Sequence, residues 1–315
     1  MKILNISCGA VGAYFCGRLA EQGTEVAVTV RSDRELIADR GFDIKSIAGD
    51  FIFRPQQVLN SADEYHDQAD YIIITSKVLP EADMVKLIGN AVKADSVIVL
   101  IQNGIGIEKA LAEAYPNNEL ISAVAYIGVS RIAPGVINHQ GAGKLILGKF
   151  GGGPSKAAKI LCNMFAHASV PADYTEDIAF YRWKKLLWNI PFNIISVLGG
   201  GLLTNEMTDS GELEKLCANL MREVIATAHS CQINLPESLV QENIEYTRNF
   251  PPYKTSMLID CENLRPLEVD AIAGEVVKIA RANRIPTPCL ETVFALLQAF
   301  DRHRQYLKTT NISGL

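Results

Sequence analysis

Lys185, Asn189 and Asn193 in the stretch YRWKKLLWNIPFN recur at i, i+4 and i+8, the spacing that lines side chains along one stripe of an α-helix. Their neighbours Leu186, Leu187, Trp188 and Phe192 are largely apolar, which predicts a helix with much of its surface buried. An ammonium and two amides on such a helix need protein partners or a ligand, because unpaired buried polar groups are costly. Either asparagine alone would also fit a core helix with satisfied polar residues; a lysine and two asparagines together favour a ligand. Pro191 predicts a kink, and Thr175 followed by Glu176 and Asp177 predicts the start of the helix. A second group lies in YKTSMLIDCENLRPLEVDAIAGEVV. Pro266 breaks any helix there and holds Arg265 extended, so Ser256 and Glu268 fall on either side of a bend and can converge, with Asp260 between them. Glu268 also opens a helix, where the dipole favours a carboxylate.

At the other end of the chain, KILNI runs into Ser7-Cys8-Gly9-Ala10-Val11-Gly12. A dinucleotide-binding turn, G-x-G-x-x-G, uses its second glycine for the approach of the pyrophosphate and its third for packing the helix on the strand. Gly9 and Gly12 occupy those places, while Ser7 stands at the first, which serine tolerates where φ stays negative. Residues Ser7 to Gly12 are therefore candidate cofactor contacts, their helix N-terminal amides facing the phosphates. Cys8 is expected as a packed small side chain. About 20 residues further on, an NAD-preferring domain places an acid. Here Val30 is followed by Arg31 and Ser32. A guanidinium pairs with a 2′-phosphate that a carboxylate would repel, so NADP is favoured, with Arg34 assisting and Asp33 as a mild counter-signal. Lys77 and Asn103 follow two further strand-like runs, IIITSKV and IVLIQNGIG, at the carboxyl ends where open α/β sheets bind ligands. A surface lysine and an ordinary turn asparagine fit those two positions about as well.

The elements that must hold these residues alternate in the first half of the chain. Ile3–Ile6, Glu25–Val30, Tyr71–Thr75, Ser96–Ile101 and Leu120–Val129 read as strands, and Gly12–Gln22, Pro80–Val92 and Ile107–Ala114 as helices between them. Continuous apolar runs such as YIIIT suit strands covered on both faces of a parallel sheet. Phe42–Ile47 with Phe51–Phe53, and Gly135–His139 with Lys144–Gly148, read as two hairpins. A helix is expected at Ser155–Ala168. Beyond Tyr174 only helical periodicity remains, over Asn205–Ser230, Glu237–Arg248, Glu268–Asn283 and Leu290–Tyr306. The fold class is α/β, a Rossmann-type doubly wound domain over residues 1–174 followed by an all-helical domain over residues 175–315. The cleft between them is the default place for a site.

A chain of 315 residues that is 48% hydrophobic and 21% charged has the balance of an ordinary globular protein and buries its core without disulfides. A net charge of −5 gives no reason to expect nucleic acid. The seven cysteines show no CxxC pair and no Cys/His spacing for a metal. With a strand directly at the start and no leader before it, they predict a reducing cytoplasm. The apolar stretch Ile190 to Leu203, broken by Pro191, Asn193 and three glycines, is too short to span a membrane. A monomer and a homodimer both remain open.

Taken together, these residues make the chain similar to the ketopantoate reductase (2-dehydropantoate 2-reductase) family over nearly its whole length. SCGAVGAYF resembles that family's glycine turn with serine at its first position, RSD its arginine segment that reads NADP, and TSK and QNG the segments carrying Lys77 and Asn103. RWKKLLWNIPFN resembles its helix W-x-K-x-x-x-N-x-x-x-N, and TSMLIDCENLRPLEVDAIAG its S-S-M-x-x-D…E-I-D segment, with Thr255 for the first serine. The resemblance implies hydride transfer from NADPH to the C2 ketone of 2-dehydropantoate, a 2-keto acid, giving pantoate on the route to coenzyme A. It implies Lys185 as the general acid and Glu268 as the group that holds the substrate hydroxyl and positions Lys185. It further implies Asn103 as orienting substrate and cofactor, and Ser256, Asn189 and Asn193 as substrate ligands. The alternatives are a reductase of another 2-keto or 3-hydroxy acid, and a catalytically silent NADP-binding sensor.

Overall fold

The structure is a computed structural model that describes residues 1–310. The chain divides into two compact units. The first comprises residues 1–77, 81–103 and 107–179, and the second residues 78–80, 104–106 and 180 onward. The change of texture at Tyr174 and this division beyond Ala179 are two different cuts through the approach to the polar-striped helix.

The first unit opens with β1 (Lys2–Ile6), α1 (Ala10–Glu21), β2 (Glu25–Thr29), α2 (Arg34–Arg40), β3 (Phe42–Ser46), β4 (Phe51–Phe53) and β5 (Gln57–Leu59). It continues with β6 (Tyr71–Ile74), α3 (Met84–Ile88), β7 (Val97–Leu100), α4 (Lys109–Ala114), β8 (Leu120–Ala133), β9 (Val136–Lys149), α5 (Lys156–His167) and β10 (Ala172–Tyr174). The strands form one sheet in the order β4-β3-β9-β8-β7-β6-β1-β2-β5, with β10 added beside β9. From β5 through β8 every pairing is parallel. The runs KILNI, YIII and VIVL are buried along almost their full length, as strands covered on both faces must be. The chain goes from β1 to β2 on one side and later returns to β6 on the other side of β1, which makes the carboxyl end of β1 a topological switch point.

The second expected hairpin is not one. Residues 136–149 form the single long strand β9, paired antiparallel with the equally long β8 and beside β3. Gly141-Ala142-Gly143 interrupts the apolar run, and Ala142 and Gly143 carry positive φ. The pairing absorbs them through register shifts, as β-bulges do. On this sheet α1 lies against β2, β3, β4, β8 and β9. The helix expected over Pro80–Val92 shrinks to α3 and one 3₁₀ turn (Gly89–Ala91).

The second unit is helical: α6 (Ile178–Leu198, which begins just before the division), α7 (Thr204–Asp209), α8 (Gly211–Ser230), α9 (Ser238–Asn249), α10 (Ser256–Glu262), a π-helical turn (Asp270–Gly274), α11 (Glu275–Ala282) and α12 (Pro288–Thr310). Trp183, Leu186, Leu187, Ile190, Phe192 and Ile194 of α6 are all buried in its core, so α6 is covered on most sides. The chain remains helical through Pro191. Among the described residues no helix is long and apolar enough to cross a membrane, and no cluster of His, Cys, Asp or Glu could hold a metal ion.

Candidate functional site

In the first unit the site begins at the β1–α1 turn. Gly12 lies so close to the sheet that a Cβ would stand 2.3 Å from Asn5 Oδ1 and 2.5 Å from Thr75 Oγ1. Asn5 is itself fixed, its Nδ2 donating to the carbonyl of Ile73 (2.9 Å) and to Thr75 Oγ1 (3.1 Å). Gly12 thus lets the helix settle on β1 and β6. Gly9 is different: a Cβ there would meet nothing nearer than the Ser7 carbonyl oxygen at 4.0 Å. The turn is therefore open at Gly9, where a side chain would fill space that a close-lying pyrophosphate needs. Gly9 stands at the N-cap of α1 with no side chain capping the helix and no acid in the first turn. The amides of the first turn point into that open space, a favourable field for an anion. These features fit a dinucleotide.

Ser7 corrects the expectation of negative φ: it has φ 57°, in the left-handed region that costs a non-glycine residue about 1 kcal/mol. The turn holds it there from both sides, since its amide donates to Thr29 Oγ1 (2.8 Å) and its carbonyl accepts from Thr75 Oγ1 (3.3 Å). Cys8 is buried, its amide donates to the Thr29 carbonyl (2.8 Å), and burial pushes its thiol well above the ordinary value. Its thiol is buried and un-ionised. Arg31, just past β2, is exposed, and its guanidinium has no partner among the described residues. Arg34 Nε reaches the Val58 carbonyl at 3.3 Å. Asp33 is ion-paired with Arg131 (2.9 Å), whose Nη1 also donates to Ser32 Oγ (2.9 Å). Lys77 and Asn103 follow β6 and β7 and are both half-buried. The two strand ends are tied by Gln102, whose Nε2 donates to the carbonyl (2.7 Å) and hydroxyl (3.0 Å) of Ser76.

In the second unit the stripe on α6 organises the remaining candidates. Desolvation is the largest influence on Lys185 and lowers its pKa from 10.5 to about 8; the Arg182 guanidinium pushes the same way and the Glu268 carboxylate opposes. Arg182 precedes Lys185 by three residues, is buried, and donates through Nη1 to the Gly104 carbonyl (3.0 Å). Gly104, at φ 97°, is pressed against the π-helical turn, where a Cβ would come within 2.3 Å of the Ala271 carbonyl oxygen. Glu268, just before that turn, accepts from the Val78 amide through Oε1 (2.9 Å). An ammonium that is largely desolvated, with a carboxylate near it and a pKa close to neutrality, is poised to hold and release a proton.

Asn193 is buried, with its amide engaged on both sides. Nδ2 donates to the Asn189 carbonyl (2.9 Å), and Oδ1 accepts from the Met257 amide (3.2 Å) and the Ser256 hydroxyl (3.3 Å). Its geometry is that of a residue that pins the start of α10 and presents Ser256. Thr255 caps α10 by accepting from the Leu258 amide and pairs with Ser196 Oγ at 2.7 Å. Asn189 is buried, and its side-chain amide makes no hydrogen bond to another described residue. Asp260 pairs with Arg265 at 3.6 Å. Ser256 and Glu268 engage opposite ends of the stripe, eight residues or about 12 Å apart along the helix axis, with Asn189 between. Sequence reasoning passed over Arg182, although its i, i+3 spacing from Lys185 was visible, and over Gln102 and Arg131, which carried no signal in their spacing.

Comparison with known proteins places two family models on the chain: "Ketopantoate reductase PanE/ApbA" over residues 3–152 and its C-terminal counterpart over residues 177–301. A 2-dehydropantoate 2-reductase of Nostoc sp. is 31% identical over 310 residues, covering 95% of each chain. The crystal structure of a 2-dehydropantoate 2-reductase from Methylococcus capsulatus is 41% identical, with TM-score 0.91 over 96% of this chain and 98% of that one. A D-mandelate dehydrogenase solved with NADH and anilino(oxo)acetate shares the fold at 23% identity, with TM-score 0.87 over 97% of this chain and all of that one.

Proposed function

The chain belongs to the ketopantoate reductase family and is an oxidoreductase that uses a nicotinamide cofactor; from that premise we propose that it reduces the C2 ketone of 2-dehydropantoate to the alcohol of pantoate, with NADPH as the preferred reductant. The observation that carries the reading is Lys185, a desolvated ammonium with a pKa of about 8 on a stripe of amides. NADPH, when bound, supplies the hydride. The residues that would hold it are the amides around Gly9 and the first turn of α1, with Arg31 at the 2′-phosphate and Lys77 and Asn103 at the ends of β6 and β7.

The rest is the work of the helical unit's side chains. Reduction leaves negative charge on the ketone oxygen, and Lys185 Nζ neutralises it by hydrogen bonding and then by giving up a proton. A pKa near 8 keeps Lys185 mostly protonated at neutral pH while making it a far better proton donor than an ordinary lysine. Glu268 keeps that proton from leaving too readily and accepts the substrate hydroxyl. Asn189 and the Ser256 hydroxyl, the latter oriented by Asn193, bind the carboxylate and hydroxyl of the substrate.

The test is the fall in NADPH absorbance with 2-dehydropantoate, with NADH and a panel of other 2-keto acids alongside. The reading expects the highest kcat/KM for 2-dehydropantoate with NADPH. A better substrate in the panel would overturn the substrate assignment, and equal or better use of NADH would overturn the cofactor assignment. Saturable NADPH binding with no turnover of any keto acid would favour a sensor.

A further inference from the structure

The loop after β2 contains a carboxylate close in sequence to Arg31, where it would count against a 2′-phosphate. Asp33 sits two residues beyond Arg31 in a left-handed conformation, φ 61°, at the N-cap of α2. Its carboxylate does not cap that helix. It accepts instead from Arg131 Nη1 at 2.9 Å, and the same nitrogen donates to Ser32 Oγ at 2.9 Å. The Asp33 side chain is 19% exposed and that of Arg131 44%. Arg131 comes from the far end of β8, almost a hundred residues away in sequence. The β8–β9 turn is packed on α2 at the same place, since a Cβ on Gly135 would stand 3.3 Å from Leu36 Cδ2. The packed turn fixes where Arg131 emerges. All of these residues belong to the first unit.

We propose that Arg131 is a specificity-determining residue: by pairing with Asp33 it neutralises the acid beside Arg31 and leaves that guanidinium to receive a 2′-phosphate. The proposal rests on the NADPH reading above and explains how Asp33 is compatible with it. A carboxylate facing a phosphate dianion repels it, whereas one engaged by a guanidinium presents little net charge. Arg131 acts through Asp33, so its effect is confined to ligands that carry the 2′-phosphate.

The test is calorimetric titration of the whole chain with adenosine 2′,5′-bisphosphate and with 5′-AMP, which requires no turnover. The parent is expected to bind the bisphosphate more tightly than AMP. Arg131→Gln should weaken the bisphosphate on the order of tenfold and leave AMP unchanged, and adding Asp33→Asn should restore most of the loss. The unchanged AMP affinity reports that the site is still folded. Undiminished bisphosphate binding by Arg131→Gln would overturn the proposal, as would equal loss of both ligands. A selective loss that Asp33→Asn does not restore would overturn the neutralising role. A parent without preference for the bisphosphate would instead refute the NADPH reading itself, and the proposal with it.

Discussion

Replacing Lys185 by methionine should make the helical unit more stable while removing reduction. The fall of its pKa from 10.5 to about 8 means that the folded state binds the proton less tightly than the unfolded chain. At about 1.4 kcal/mol per tenfold this amounts to about 3 kcal/mol. Because Lys185 keeps part of its area in water, the working value is ~2–3 kcal/mol. The sign follows from linkage: between pH 8 and 10.5 the unfolded chain carries more protons than the folded one, so stability rises with pH across that window. The penalty is present in full below pH 8 and fades as pH approaches 10.5. Methionine fills similar space without charge and has no such dependence. Both tryptophans of the chain, Trp183 and Trp188, lie on α6, so their fluorescence in urea reports the helical unit directly. Lys185→Met should exceed the parent by ~2–3 kcal/mol at pH 7, and the gap should close by pH 10.5. A gap that is absent at pH 7, or that does not change with pH, would refute the argument that α6 holds a desolvated ammonium.

Glu268→Gln removes the carboxylate that raises the Lys185 pKa, so the pH at which reduction declines should move below that of the parent; a pH–rate profile shows this, and an unmoved limb would separate the two residues. Ser7→Gly relieves a positive φ and should raise thermal stability by up to about 1 kcal/mol while binding NADPH at least as tightly. Gly12→Ala drives a methyl into Asn5 and Thr75 and should cost about 1–3 kcal/mol and sharply weaken NADPH binding by calorimetry. Gly104→Ala, which would strike the Ala271 carbonyl, should instead lower turnover by displacing the backbone that Arg182 holds.

What the sequence made legible was whatever local pattern determines. β1, β6 and β7 announced themselves as unbroken apolar runs because both of their faces are covered, and the stripe on α6 because helical spacing is rigid. β9 was misread because Gly141-Ala142-Gly143 resembles a turn; only pairing with β8 keeps that stretch extended. The helix expected from Asn205 to Ser230 is divided at Ser210 into α7 and α8. The π-helical turn beyond Glu268 was invisible, since it is set by packing, with Gly104 against Ala271. Asn193 could be placed on the stripe but its partners could not be named, because spacing reveals a face and not a partner; the donors to its Oδ1 come from α10, more than sixty residues away. Ser7 was expected at negative φ because a residue's type says little about a turn that distant side chains, Thr29 and Thr75, hold in place.

The central claim, that Lys185 delivers the proton in reduction, is tested most directly by kcat/KM for NADPH-dependent reduction of 2-dehydropantoate across pH 6 to 10. Lys185 must be protonated to act, so the account predicts a plateau at low pH and a tenfold fall per pH unit above pH about 8. A rate that stays level through pH 9.5, or an unchanged profile in Lys185→Ala, would contradict it.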